Sequence, residues 1–582
     1  MLRYSMFMAI LAVSISVSGS ANHPEIKLTD ITEEAGLIDP ATGSHGAAFA
    51  DVTGDGLPDL YLTYNLYHDG ARQNRFYRNL DGIMFTEEAA LRGIANPSFG
   101  THGAAWADLD NDGDYDLLNG VTYDHSAEGA PNRIFRNSGN GFFSDATPQA
   151  MLDRSEGTRA VLTSDFNRDG LLDIFAVSGW QGSGDPSDER NELYLNLGSR
   201  NGSLNFVAIE ASDLYTAPAG QGATDTDYDS DGWPDVVAAN GGGEINLIHN
   251  DAGQNASLVS AILSGIWHSA YTGITSGDVN NDGSIDLVLA DQIGGQAHIY
   301  LNQGNSLFAH SQSVRNFSGY TVGLADLDND GDLDFAAAGL SQIMLNDGHG
   351  FFSDGPAVPN QVSKEEDPRT IAFADIDQDG DLDFVMTAKH DRPLLIRNDL
   401  VYGSNWLKVN LLSPHGQIGA FGTKVKVFDS QGKLLCVREA RSNYGYLSQD
   451  DPSLHCGLGN AQSVTVEVKF LGGPIITAVV NSNQVVKIDQ YGVCLTPPDP
   501  PADLQSSVTG STVTLAWEPN TRAQSYLLRV GSAPGLSDLY QTSMQAPGLT
   551  AAAPPGTYFV RVYATGFCGM SGPSEEVIVR VN

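Results

Sequence analysis

The chain has 582 residues and a formal charge of −40, with 71 acidic against 31 basic side chains. That balance excludes nucleic acid and anionic membrane surfaces as partners, and 41% hydrophobic with 9% aromatic residues excludes a disordered acidic chain. Its 64 glycines, with no sustained helical periodicity, point to an all-β protein full of tight turns.

Residues 1–21, "MLRYSMFMAILAVSISVSGSA", place Arg3 before an apolar run that ends in small residues, the pattern of a secretory signal. The run is short of the roughly 20 residues that span a bilayer, and no later stretch does better. The expected location is extracellular, secreted or cell-surface associated, or periplasmic, with no membrane span. Four cysteines suit an oxidising compartment. Of three possible pairings, Cys436 with Cys456 and Cys494 with Cys568 keep each bridge local and are favoured.

From residue 50 a single motif recurs seven times: "ADVTGDGLPD", "ADLDNDGDYD", "SDFNRDGLLD", "TDYDSDGWPD", "GDVNNDGSID", "ADLDNDGDLD" and "ADIDQDGDLD". Counted from the first aspartate, oxygen-bearing side chains stand at positions 1, 3, 5 and 9, and glycine always at 6. Hard cations such as Ca²⁺ take six to eight oxygens, and a glycine allows the sharp bend such a loop needs. The expected ligands are Asp51, Thr53, Asp55 and Asp59; Asp108, Asp110, Asp112 and Asp116; Asp165, Asn167, Asp169 and Asp173; Asp227, Asp229, Asp231 and Asp235; Asp278, Asn280, Asp282 and Asp286; Asp326, Asp328, Asp330 and Asp334; and Asp375, Asp377, Asp379 and Asp383. Up to seven Ca²⁺ would cancel much of the formal charge where crowding is worst. Thr53 is the weakest of these ligands and Asn167 and Asn280 are intermediate, so the affinities should differ. A single copy reads equally well as a polar turn; seven copies at one spacing do not.

Each motif is followed by a short apolar run, such as "LYLTY" or "IFAVS", so it joins two strands. A third strand ("RFYRN", "RIFRN", "LLIRN") and a fourth ("MFTEE", "GFFSD") complete the repeat, which recurs every 48 to 62 residues. The seventh repeat lacks a fourth strand, and an orphan copy, "IKLTDITEEAGL", stands at Ile26, ahead of the first. The expected fold of residues 22–400 is a seven-bladed β-propeller with calcium-binding hairpin loops, its ring closed by the N-terminal segment. The pattern resembles the FG-GAP/VCBS repeats of integrin α-subunit propellers, whose hairpin loops bind calcium.

Residues 401–492 carry short strands around "IGAFGTKVKVF" and "YGYLSQDDPSLHCGLG". They resemble the ASPIC/UnbV domain that follows such propellers in secreted proteins. Cys456 replaces the aromatic of the expected "HFGLG", and "KFLGG" replaces a Trp-Pro segment. After the proline-rich "CLTPPDPPADL", residues 493–582 alternate apolar and polar positions, with Trp517 and Tyr558 where a fibronectin type III-like β-sandwich would bury them.

No zinc-protease, nucleophile-elbow or redox-cysteine motif is present, and one active site does not need seven copies of an acidic loop. The sequence favours a binding or adhesion module for an extracellular glycan or protein over catalysis. A polysaccharide lyase and a purely structural component are the alternatives. Six residues before each first aspartate stand His45, His102, Arg159, Gln221, Thr272, Tyr320 and Arg369. They are expected to ring the mouth opposite the loops, where Tyr64, Tyr67, Tyr123, His125 and Trp180 would stack on a ligand. His45, His102 and Arg159 would supply positive potential. The bland alternative gives them backbone carbonyls to satisfy.

Overall fold

The computed structural model describes residues 25–581 except 38–42, 65–72, 97, 125–129, 140, 154–156, 179–190, 201–202, 210–219, 241–244, 254, 263, 268–271, 402, 414–417, 494–497, 521, 524, 538 and 567–568. The signal segment, Tyr67, His125, Trp180, the side chain of Tyr123 and the Cys494–Cys568 pair therefore lie outside the described residues. Apart from two four-residue helices, Ala89–Arg92 and Gln149–Leu152, and one 3-10 turn, Lys364–Glu366, the described regular structure is all β.

Seven antiparallel sheets come first. Sheet one is Ala47–Ala50, Asp59–Leu62, Arg75–Asn79 and Phe85–Glu87. Sheets two to six repeat this order from first strands Phe99–Ala107, Thr158–Ser164, Gly220–Thr226, Gly273–Gly277 and Gly323–Ala325. In every sheet the acidic motif joins the first strand to the second. Second strands such as Asp173–Ser178 are buried along their whole length because neighbouring sheets cover both faces. This is why they read as unbroken apolar runs instead of alternating.

Sheet seven is Pro368–Ala374, Asp383–Ala388 and Leu394–Leu400, and its fourth strand is the N-terminal Ile26–Asp30. Ile26 lies opposite Leu400 and Asp30 opposite Ile396. Each sheet is open, and none curls into a barrel. The order of the sheets is what returns on itself: each first strand adjoins the next, and Pro368–Ala374 adjoins Ala47–Ala50.

An asparagine near the end of each third strand bolts the sheets together. The backbone N–H groups of Asn79, Asn137, Asn196, Asn250, Asn302, Asn346 and Asn398 donate to the ninth-position aspartate of their own loop, at 2.7 to 2.9 Å. Side-chain amides then reach the previous loop: Asn196 to Leu109 O, Asn250 to Phe166 O, Asn302 to Tyr228 O, Asn346 to Val279 O and Asn398 to Leu327 O. Asn79 reaches Ile376 O at 2.9 Å and so ties sheet one to sheet seven. Each bond contributes about 1 kcal/mol, and a buried amide left without one costs more.

Residues 405–493 form two four-stranded sheets around Leu407, Val409, Val425, Val427, Val466 and Ile488. Cys436 on Leu434–Glu439 and Cys456 on Leu454–Gly459 are disulfide-bonded, which ties one sheet to the other. The C-terminal unit packs a three-stranded sheet, in the order Gln505–Thr509, Thr512–Ala516, Gly548–Ala552, against a larger one built on Ser525–Gly531 and Gly556–Gly566.

Candidate functional site

The seven acidic loops share one backbone. Position 4 (Gly54, Asn111, Arg168, Ser230, Asn281, Asn329, Gln378) and the glycine at position 6 are left-handed in every copy. The glycine was expected to make the bend. The second left-handed residue was not, because arginine, serine and glutamine give no sign of it.

Two left-handed turns point backbone N–H groups inward at the first aspartate. In loop two Asp112 N and Gly113 N donate to Asp108 at 3.1 and 3.2 Å. The ninth-position aspartate is committed at both oxygens: Asp116 Oδ2 accepts from Leu109 N at 3.1 Å and Oδ1 from Asn137 N at 2.9 Å. Burial pushes these carboxyls up, Asp59 to about 7 and Asp116, Asp173 and Asp286 to about 8. Neighbouring aspartates add to the rise.

Several of the clusters can hold a metal ion. Donor atoms of Asp108, Asp110 and Asp112, of Asp227, Asp229 and Asp231, of Asp326, Asp328 and Asp334, and of Asp375, Asp377 and Asp383 converge within 4.8 Å. Asp110 Oδ1, Asp326 Oδ1 and Asp375 Oδ1 are buried with no hydrogen-bond partner. An all-oxygen set with such atoms fits a hard divalent ion.

The domain at 405–493 sits on these loops. Its "HCGLG" segment lies against loop six: Gly457 N donates to Asp326 Oδ2 at 2.7 Å, Gly459 N to Asn329 O at 3.0 Å, and His455 Nε2 pairs with Asn329 Oδ1 at 2.6 Å. A β-carbon on Gly457 would collide with the Asn329 backbone. Arg438 Nη2 meets Asp326 Oδ2 at 3.1 Å, and Lys424 Nζ meets Asp227 Oδ2 at 2.9 Å. A cavity of about 100 Å³, lined by Lys408, Arg438 and Arg441 as well as Leu324, Phe373 and Leu454, remains between this domain and the sheets.

From that domain, residues 442–451 run along the first strands of all seven sheets. Ser448–Gln449 pairs in parallel with Ala47–Ala50 of sheet one. Gln449 exchanges two hydrogen bonds with the Trp106 backbone of sheet two, at 2.7 and 2.9 Å. Ser442 accepts from Thr163 N of sheet three, and Asn443 donates to Ala104 O and Val161 O. A β-carbon on Gly222 of sheet four would collide with Gly445 O. Gly445 N donates to Ile274 O of sheet five, and Tyr446 N to Thr321 Oγ1 of sheet six. Tyr444 OH donates to Ile371 O of sheet seven. The sequence reading missed this role of "SNYGYLSQDD"; its one available signal was two tyrosines and four uncharged polar residues in a segment lacking strand alternation.

At the far ends of the first strands six of the seven residues six positions before each loop come together in pairs. His45 stacks on His102 at 5.0 Å, Arg159 bonds Gln221, and Arg369 lies over the Tyr320 ring at 4.3 Å. Tyr446 stands among them, 5.0 Å from Tyr320 and 6.3 Å from His102. Thr272 instead bonds Ala290 O. Two expectations need correction. Tyr64 is 1% exposed in the core between sheets seven and one, because it continues a strand buried on both faces. His45 and His102 are buried as well, and burial, helped by Arg159 and Arg369, holds the His102 imidazole well below its usual range, so it is neutral.

The chain carries FG-GAP-like repeats, matched over residues 51–118, 121–176, 227–289, 278–337 and 326–386, and an ASPIC and UnbV domain at 415–492. It is similar to cartilage acidic protein 1 of Mus musculus, 24% identical over 362 residues, and of Homo sapiens, 24% identical over 363. The match covers 62% of this chain but 41% and 40% of those relatives, so the chain spans about two fifths of their length. A solved structure described as showing specific recognition of non-reducing terminal N-acetylglucosamine by an Agrocybe aegerita lectin aligns at 17% identity and a TM-score of 0.39, over 59% of this chain and 88% of that one. No helix among the described residues is long and apolar enough to cross a membrane.

Proposed function

We propose that the chain is a secreted, calcium-loaded β-propeller of seven blades that binds an extracellular glycan or protein at the mouth opposite its loops. The observation that carries this reading is the position of the 405–493 domain. It lies on the loop side, fills the space along all seven first strands and reaches the opposite mouth only with Tyr446, which makes the rim of that mouth the proposed ligand face. There Arg159, Gln221 and Tyr320 are partly exposed around a buried Arg369, a cation and aromatic set suited to an anionic sugar or an acidic side chain.

Calcium in the loops would be held by the first, third, fifth and ninth side chains, the ninth aspartate also bracing the loop through its backbone bonds. The bound ions supply charge balance to carboxyls that burial otherwise protonates. The lyase alternative has no observation of its own: the two histidines that could act as its base, His45 and His102, are buried and stacked on each other. The C-terminal unit is read as fibronectin type III-like. Its three-plus-five strand arrangement, the buried Trp517 and the Tyr558 hydroxyl donating back to Pro554 O at 2.8 Å support that.

The test is a glycan and peptide array probed with the calcium-loaded protein and with an Arg159→Ala, Tyr320→Ala variant. Binding that disappears in the variant, with calcium content and melting unchanged, is the expected result. Binding retained by the variant removes this mouth from consideration, and no binding by the parent protein points to a structural role.

A further inference from the structure

Loop four departs from the other six. In loops one, two, three, five, six and seven the Oδ2 of the ninth-position aspartate accepts a backbone N–H from position two, at 2.9 to 3.2 Å. In loop four the Asp235 Oδ2 is buried and has no hydrogen-bond partner, and the side chain is 0% exposed. The residue before the conserved-position asparagine is arginine in sheets one, two and seven and leucine in sheets three, five and six; in sheet four it is His249.

His249 Nδ1 lies 3.2 Å from Asp229 Oδ2 and 3.3 Å from Asp235 Oδ1, yet this buried nitrogen forms no hydrogen bond with either. A lone pair converging with two carboxylates on a common point has that geometry. Donor atoms of Asp229, Asp235 and His249 fall within 4.8 Å of one another. The first aspartate, meanwhile, is shared: Asp227 Oδ2 meets Lys424 Nζ at 2.9 Å, and Oδ1 accepts from Gly232 N at 3.1 Å. Loop four thus keeps its acidic side chains, one of them neutralised by a lysine, and adds an imidazole that stands at this position in no other sheet. On its far side the His249 Nε2 faces Asp251 Oδ1 at 4.0 Å, the side on which a metal-bound histidine commonly meets a carboxylate.

We infer that loop four is a site for a borderline first-row dication, Zn²⁺ above all, bound by His249 Nδ1, Asp229 and Asp235 with a remaining position for water. The inference rests on the reading that the acidic loops are cation sites, and differs from it in the metal and in the nitrogen ligand. Lys424 and Glu439 lie beside Asp227 at the rim, and Asp231 is the nearest additional oxygen donor.

The experiment titrates Zn²⁺ into the full-length protein held in millimolar calcium and counts both metals by elemental analysis. One zinc per chain is expected, and Co²⁺ in its place should give the visible absorption of a low-coordinate site. His249→Arg, which installs the residue of sheets one, two and seven, should lose that equivalent while keeping its calcium. Zinc binding unchanged in this variant overturns the proposal. X-ray absorption of the zinc-loaded parent protein covers the case in which the variant does not fold: imidazole scattering supports the site and an all-oxygen shell overturns it. Seven bound calcium ions with no zinc would end this proposal and leave the calcium reading intact, whereas zinc uptake by a protein that binds no calcium would do the reverse.

Discussion

Loops two and six are built from almost the same decapeptide, "ADLDNDGDYD" at 107–116 and "ADLDNDGDLD" at 325–334, which differ only at Tyr115 and Leu333. Their backbones match, with Asn111 and Asn329 both left-handed and the same brace on Asp116 and Asp334. Their surroundings do not. The Asp110 and Asp112 side chains of loop two meet Arg136 of their own sheet at 2.6 and 3.4 Å. Asp112 and Arg136 stay about a third exposed, although Asp108, Asp116 and the Asp110 side chain are buried. Loop six is sealed: Asp326 is buried and held by Arg438 and Gly457 from the next domain, and Asp328 and Asp334 are buried too. One motif is therefore held by its own sheet in one case and serves as a docking surface for the next domain in another. The difference is made by a segment more than a hundred residues further along the chain.

The largest effect should come from stripping every loop. Each ion held at 100 times its dissociation constant contributes about 2.7 kcal/mol, so excess chelator should lower the melting temperature steeply. An unchanged melt, with calcium shown absent by elemental analysis, would end the calcium reading and with it the contrast between the loops.

Next in size is Arg438→Ala. It leaves Asp326 buried without its cation, a loss of about 3–5 kcal/mol, to be read by urea unfolding in calcium. Asp108→Asn in loop two should lose one calcium and no more than that ion's share of stability. Equal losses in the two variants would show that the domain cover adds nothing.

A smaller effect separates the loops by pH. Burial, with Arg438 and Lys408 nearby, lowers the His455 imidazole at loop six to about 3. The unfolded chain, at about 6.5, takes up the proton first, so stability falls as pH drops from about 6.5 towards 3. The expected loss is about 2 kcal/mol by pH 5. His455→Gln should flatten that part of the calcium-saturated stability profile, and a slope unchanged in the variant would place the titration elsewhere. The smallest effect is predicted for Tyr115→Leu, which gives loop two the decapeptide of loop six. Less than about 1.5 kcal/mol and an unaltered calcium count are expected; a lost ion would mean that the sequence difference matters after all.

Much of this architecture was legible before the fold was known. Seven motifs at blade-like spacing specified seven hairpins, and the missing fourth strand of the last repeat identified Ile26–Asp30 as its partner by elimination. Local turn chemistry and strand counting are properties of neighbouring residues, so the sequence carries them. The Cys436–Cys456 bridge was legible for the same reason of proximity. The sheet-to-sheet asparagines were visible as a recurring letter, but their partners lie in the previous loop and could not be read from it.

The sequence by itself determined the repeat, the strand order and the acidic loops, because backbone turns and alternating ligands depend on a few adjacent residues. Only the tertiary structure decided which loops are covered, that residues 442–451 touch all seven sheets, and that His45, His102 and Tyr64 are buried. Those outcomes depend on contacts between segments separated by up to 401 residues, as between Ala47 and Ser448. No local pattern records them, since the free energy of such a contact belongs to the packed pair and not to either strand alone.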